Sequence, residues 1–322
     1  MILLLILLPL LLTILLIFIL VYVPSPFVSP LLPENIQQKH ETKTRPRNDS
    51  VDLSSIRCVG VHNGCHVANL LSIFIPPWSY THISILSQLK LGLRHVEIDA
   101  WYERSSSAWN VFHEFVDPLT NDTPSSVVDC LREIRDWSQS NPDHLPVYIY
   151  FDIKGAYYRG CNGLAKLFGV GNFSGDSTYE YITLDRMISH VFSSGVFRPC
   201  DLNLRPTGVG LKARFKEWPK ASELRGRVFF VLNTTFGQRG SYDQLRKGAM
   251  MFRRSIGTHD ADALFYETRD MRLAQQYLRD GYIVRTLLNR TNNDALLERE
   301  IRKAFKLGIQ FIACDNLRVA SR

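Results

Sequence analysis

Between residues 57 and 314, short apolar runs alternate with segments of helical periodicity, and this alternation limits the fold more than any other feature of the chain. Strands are expected over 57–62, 94–101, 109–113, 146–153, 227–233, 249–253, 282–286 and 309–314. Helices are expected over 80–91, 124–140, 183–193, 220–225, 270–280 and 293–307. The stretches "DGYIVRT" and "LGIQFIACD" have the form of a helix stopped near a glycine and followed by a buried strand. About eight β/α units over roughly 265 residues are what a (β/α)8 TIM-type barrel requires. A doubly wound sheet is the alternative. No G-x-G-x-x-G and no P-loop follows an early strand, so nucleotide binding has no support.

The barrel is expected to form a single α/β domain over 56–322, with no internal repeat. Residues 24–55 are rich in Pro, Ser, Thr and charge, and are read as a flexible stalk. Residues 1–23 carry no charge, and the first charged residue is Glu34. A stretch of that length is read as a signal-anchor or a signal peptide. Prolines 24, 26 and 30 crowd the usual cleavage positions, which favours an uncleaved anchor.

The side of the membrane is argued from three features that disagree. Lys39, Lys43, Arg45 and Arg47 flank the apolar segment on its carboxyl side, which by the positive-inside rule holds the barrel in the cytoplasm. Five Asn-x-Ser/Thr triplets, at Asn48, Asn121, Asn172, Asn233 and Asn289, point instead to a lumenal or extracellular domain. The six cysteines (58, 65, 130, 161, 200, 314) are scattered without zinc spacing, and in an exported protein they read as disulfides. The sequons and cysteines carry more weight here than the flank charge. The net charge of +7 lies wholly outside the first 33 residues and suits an anionic membrane surface. No aromatic-basic motif or zinc finger supports nucleic acid as a partner, and nothing in the sequence indicates a protein partner.

Chemistry is concentrated at the ends of the expected strands. In "RHVEIDAW", alternation places His95, Glu97, Asp99 and Trp101 on one face and Val96, Ile98 and Ala100 on the other. In "VYIYFDIK", Tyr148, Tyr150, Asp152 and Lys154 oppose Val147, Ile149, Phe151 and Ile153. Carboxylates facing a barrel interior are costly unless they are paired or hold a cation. They are tolerated at the carboxyl ends of strands, where barrel active sites lie. Glu97, Asp99 and Asp152 fall there, with His62 and Asn63 ending "VGVHN" and His113 ending "NVFH". Three carboxylates and the Asn63 amide oxygen make a hard-oxygen set, suited to Ca2+ or Mg2+ rather than zinc. His62 and His113 are left for proton transfer. Each residue alone has a plainer reading as a capping, turn or ion-paired group, and the conjunction at four strand ends carries the argument.

The order H-N, then E-x-D, then a closing histidine resembles the catalytic barrel of the PLC-like phosphodiesterase superfamily. Its calcium-dependent phosphatidylinositol-specific phospholipase C branch is the nearest in pattern. The stretches "VHNGCH", "QLKLGLRHVEIDAW", "NVFHE", "DCLREIRDWSQSNPDHLPVYIYFDIK", "EWPKASELRGRVFFVLN", "DGYIVRT" and "LGIQFIACD" carry the resemblance through nearly all of 57–315. It implies that His62 stabilises the pentacovalent phosphate and activates the attacking hydroxyl, and that His113 protonates the leaving group. It implies Ca2+ on Asn63, Glu97, Asp99 and Asp152, with Mg2+ as the alternative, and phosphate contacts from Lys154 and Arg285. The expected substrate is a membrane phosphoinositide, a glycolipid of related headgroup or another phospholipid. Two other functions fit the same motifs: a glycerophosphodiester or sphingomyelinase-D-like phosphodiesterase, and a non-catalytic lipid-binding barrel. The chain departs from the usual T-H-N-S-Y, having Val61, Gly64 and Cys65 around His62 and Asn63. It also has Asp152 where the eukaryotic signalling enzymes carry glutamate, and "TLLNRT" where an Arg/Asp segment is common.

Overall fold

Eleven strands are formed by the described residues: β1 (Cys58–Val61), β2 (His95–Glu103), β3 (Ala108–Val111), β4 (Ser125–Ser126), β5 (Val147–Ile153), β6 (Phe173–Ser174), β7 (Val228–Thr234), β8 (Met251–Arg253), β9 (Phe265–Glu267), β10 (Ile283–Leu287) and β11 (Phe311–Cys314). Eight of them lie side by side in the order β8-β7-β5-β2-β1-β11-β10-β9, every neighbouring pair parallel. A single parallel bridge from Arg254 to Phe265 joins the two ends of this sheet. The result is the expected parallel barrel, closed at its weakest seam by one residue pair. The computed structural model describes residues 51–67, 80–112, 125–154, 173–174, 177–208, 210–234, 242–255, 260–288, 293–316 and 320. The apolar segment 1–23, most of the stalk, His113, Cys161 and the triplets at Asn48, Asn121, Asn172 and Asn289 lie outside them. No helix among the described residues is long and apolar enough to cross a membrane.

The alternation of side chains builds two separate layers. Val96, Ile98 and Ala100 of β2, with Val147, Ile149, Phe151 and Ile153 of β5, share a core with Leu131, Ile134 and Trp137 of the helix Val127–Ser140. The opposite faces meet inside the barrel, where Tyr148, Tyr150, Phe229, Val231, Phe265, Ile283 and Phe311 form an aromatic plug. Tyr148 stacks on Phe311 with ring centroids 4.1 Å apart. Each such side chain contributes about 1.5–3 kcal/mol through its removal from water. The plug fills most of the barrel, with His95 buried among its rings.

The helices expected over 80–91 and 183–193 run Ile85–Lys90 and Thr178–Val191, and helix ends carry recognisable caps. Ser126 caps Val127–Ser140 by accepting from the Val128 amide, and Gly308 stops Asp294–Leu307 in the left-handed conformation at φ 102°. One strand expectation is corrected. The run at 109–113 is not a barrel stave. Its described part, β3, pairs antiparallel with β2, Val111 opposite Ala100, after the turn at 104–107. The missing stave is β9, three residues long. A run that short has no detectable period in the sequence.

Candidate active site

Strand register sets the site. Cys314 is opposite Val61, and Val61 is opposite Val96, so Asp315, His62 and Glu97 follow in adjacent positions at the rim. Asp99 is opposite Asp152, and Asp152 is opposite Asn233. The three carboxylates Glu97, Asp99 and Asp152 each offer an oxygen within 4.8 Å of the others, and all three are buried. The alternation read from "RHVEIDAW" therefore places Glu97 and Asp99 in the barrel mouth rather than against the helices.

The tip of β1 is a tight turn locked to its neighbours. The His62 amide donates to the Cys314 carbonyl at 3.0 Å, and the Gly64 amide donates to the Glu97 carbonyl at 2.8 Å. A Cβ on Gly64 would stand 2.9 Å from that same carbonyl oxygen, which explains the glycine where the family pattern has a larger residue. Gln88 donates to the Gly64 carbonyl at 2.6 Å. Asn63 adopts φ 49°, a left-handed conformation that asparagine tolerates better than most residues. Its Nδ2 donates to the Tyr80 hydroxyl at 2.9 Å, and its buried Oδ1 has no partner. His82 Nε2 donates to the His62 carbonyl at 3.0 Å, and burial pushes its imidazole down to about 4. His66 is buried as well, its ring 4.4 Å from that of Tyr80. It supports the tip from behind.

His62 has its Nδ1 2.8 Å from Asp315 Oδ1 and its Nε2 4.0 Å from Glu97. Burial works against its charged form, but Glu97 and the Asp315 hydrogen bond outweigh burial and raise its pKa above the ordinary value. With Nδ1 held by a carboxylate, Nε2 is the nitrogen that faces the carboxylate cluster and can exchange a proton. Asp315 was missed by sequence reasoning, although "ACD" ends the strand that adjoins β1 in a closed barrel.

The carboxylates are braced by cations. Lys154 Nζ lies 2.7 Å from Asp152 Oδ2 and 3.2 Å from Asp99 Oδ1. Arg285 bonds to Glu97, to Glu267 at 2.6 Å and to His95 Nε2 at 2.9 Å, and its guanidinium sits over the Tyr150 ring. Arg285 is 3% exposed with its fork shared among three wall groups. It braces Glu97 from inside the barrel wall. His95 accepts from Arg285 and is kept neutral by burial and by that positive charge. Burial pushes Asp99 up to about 8, with Glu97 and Asp152 adding to the rise against Lys154. Asp152 stays low despite burial, because Lys154 stabilises its charge.

These residues fit a hard divalent cation. Three convergent carboxylates carry excess negative charge, and the Asn63 amide oxygen is buried without a hydrogen bond, which a metal would satisfy. Asn233 is buried, and its Nδ2 donates to Asp152 Oδ1 at 2.6 Å. That triplet is therefore closed to glycosylation in the folded chain, contrary to its reading as a surface acceptor. The disulfide expectation is likewise not met among the described residues: Cys58, Cys65, Cys130, Cys200 and Cys314 are free thiols. Cys65 and Cys130 share one apolar cluster with their sulfurs 3.9 Å apart, while Cys58 and Cys314 pack in or beside two others, where a thiol acts as a small hydrophobe.

The sequence profile of the family described as "Phosphoinositide phospholipase C, Ca2+-dependent" matches residues 105–322, more than half of the chain. No curated protein matches the sequence. Among solved structures, the fold is similar to a calcium-dependent phosphoinositol-specific phospholipase C from Pseudomonas sp., with TM-score 0.59, 20% identity, and coverage of 86% of this chain and 94% of that one. It is also similar to a Ca2+-dependent phosphatidylinositol-specific phospholipase C from Streptomyces antibioticus, with TM-score 0.57, 15% identity, and coverage of 84% and 96%. A phosphatidylinositol-specific phospholipase C from Listeria monocytogenes gives TM-score 0.50 at 11% identity, covering 84% and 93%. At these identities the structural likeness supports the barrel, while the profile match supplies the family. The chain belongs to the Ca2+-dependent phosphoinositide phospholipase C family, whose members are phosphoric diester hydrolases.

Proposed function

We propose that this barrel cleaves a phosphoinositide or closely related phospholipid at a membrane surface, by intramolecular attack of an inositol hydroxyl on its phosphodiester. One observation carries the reading: Glu97, Asp99 and Asp152 converge within 4.8 Å beside a His62–Asp315 pair joined at 2.8 Å. His62, oriented by Asp315, takes the proton from the attacking hydroxyl through Nε2. The new P–O bond closes a cyclic inositol phosphate, the P–O bond to diacylglycerol breaks, and the departing oxygen takes a proton. His113, outside the described residues, is assigned that last proton from the resemblance alone. Asn63, Glu97, Asp99 and Asp152 would hold Ca2+. When bound, that ion lowers the pKa of the attacking hydroxyl and neutralises charge on the phosphate. Arg285 holds Glu97 in place, and Asn233 does the same for Asp152.

The same reading sets the barrel beside a membrane on the lumenal or extracellular side. The uncharged segment 1–23 supports the first part, and the triplets at Asn48, Asn121, Asn172 and Asn289 support the second. The test is product identity by 31P NMR, with phosphatidylinositol vesicles and His62→Ala as the control. A cyclic inositol phosphate from wild type and none from the variant supports the reading. Equal product from both, or cleavage only of choline-bearing lipids, overturns it.

A further inference from the structure

Both oxygens of Asp152 are engaged. Oδ1 accepts from Asn233 at 2.6 Å and Oδ2 from the Lys154 ammonium at 2.7 Å. Lys154 also reaches Asp99 at 3.2 Å. Its base is rigid, because its own amide still donates to the Ala100 carbonyl at 3.1 Å, continuing the β5–β2 ladder. Its side chain is 13% exposed, so it lies at the mouth of the site rather than sealed inside it. By contrast, the Asn63 Oδ1 has no partner in the same site. Asp152 thus differs from Asn63: each of its oxygens already has a partner, and one of those partners is itself a cation. An ion about 2.3–2.6 Å from that oxygen would sit too close to an ammonium on the same carboxylate, and the two cations repel.

We propose that Lys154 is a tethered cation that competes with the metal for Asp152 and Asp99, and that the ammonium released by metal binding is taken up by the anionic phosphate of the substrate. This rests on the metal reading given above and adds to it an exchange step. Metal binding trades one cation for another in the carboxylate cluster, so intrinsic affinity is held down. The displaced ammonium needs a new anion, and a phosphodiester supplies one. Metal and phosphate therefore bind with positive coupling through one side chain.

The test uses the full chain in detergent micelles, titrated with Ca2+ by calorimetry with and without inositol 1-phosphate. Lys154→Met is expected to bind Ca2+ at least tenfold tighter than wild type, and to lose the enhancement that inositol 1-phosphate gives wild type. Lys154→Arg, which keeps the charge, is expected to stay within a few-fold of wild type. A second measurement needs no variant. Amine acetylation followed by peptide mass spectrometry is expected to modify Lys154 of wild type several-fold more in Ca2+ than in chelator. If wild type binds Ca2+ and Lys154→Met binds it no tighter, or Lys154 labelling does not rise with Ca2+, the exchange is overturned while the metal reading stands. If neither protein binds Ca2+, the metal reading fails and the exchange fails with it.

Discussion

Asp99→Asn is expected to stabilise the metal-free protein while removing its response to calcium. Glu97, Asp99, Asp152 and Glu267 face Lys154, Arg285 and Arg254, four carboxylates against three cations. The excess falls on Asp99, whose carboxyl is pushed from 3.8 up to about 8, by burial first and then by its acidic neighbours. Because the folded value lies above the unfolded one, the folded state holds more proton between these limits. Metal-free stability therefore falls as pH rises through that window. At pH 7 the penalty has a ceiling of about 4 kcal/mol. Asparagine removes the charge but keeps a buried polar group, so a gain of roughly 1–3 kcal/mol is expected, or several degrees in Tm. Wild type should regain about 2.7 kcal/mol at a calcium concentration one hundred times Kd, and the variant almost none. The assay is thermal or urea unfolding of both proteins in chelator and in Ca2+ at pH 5 and pH 8. The gap in chelator should be wider at pH 8. A variant less stable than wild type in chelator at pH 8, or equally stabilised by Ca2+, would refute the reasoning.

Three further outcomes follow from the same geometry. Asp315→Asn should reduce kcat about 10²- to 10⁴-fold and move the acid limb of the kcat/KM profile to lower pH, because Asp315 helps raise His62; an unchanged limb would remove Asp315 from the proton path. His82 should act in the opposite sense to Asp99: its folded value near 4 lies below the ordinary 6.5, so its contribution to stability weakens on acidification. The unfolded state then binds more proton in that window, so about 2 kcal/mol is lost between pH 7 and pH 5, and urea melts of His82→Gln should lack that loss. Gly64→Ala should cost roughly 1–3 kcal/mol and weaken metal binding, since its Cβ would press 2.9 Å from the Glu97 carbonyl oxygen; unchanged melting and unchanged calcium affinity would show that the turn is not tightly seated.

Much of this site was readable because strands alternate. Once "RHVEIDAW" and "VYIYFDIK" are strands with an apolar face outward, Glu97, Asp99 and Asp152 have one place to go. What the sequence hid depends on closure and register. Asp315 belongs beside His62 only because β11 adjoins β1 in a closed barrel, two ends of the chain that no local pattern connects. The partners of Arg285 were hidden as well, since periodicity shows which face a side chain takes but not which neighbours it meets. The residues Tyr80, His82 and His66 hold the β1 tip through contacts that no periodicity in the sequence links. The stave β9 and the hairpin strand β3 were exchanged in the count for a similar reason. A three-residue strand is below the reach of a period-two signal, and an antiparallel return has the same alternation as a stave.

In the proposed reaction, a divalent cation on Asn63, Glu97, Asp99 and Asp152 is required for phosphodiester cleavage. The decisive experiment follows phosphatidylinositol turnover and calcium binding together in one calcium titration of the full chain. Turnover is predicted to be absent in chelator and to rise in parallel with occupancy of a single calcium site. Turnover that persists undiminished in chelator, or that rises while no calcium binds, would contradict it.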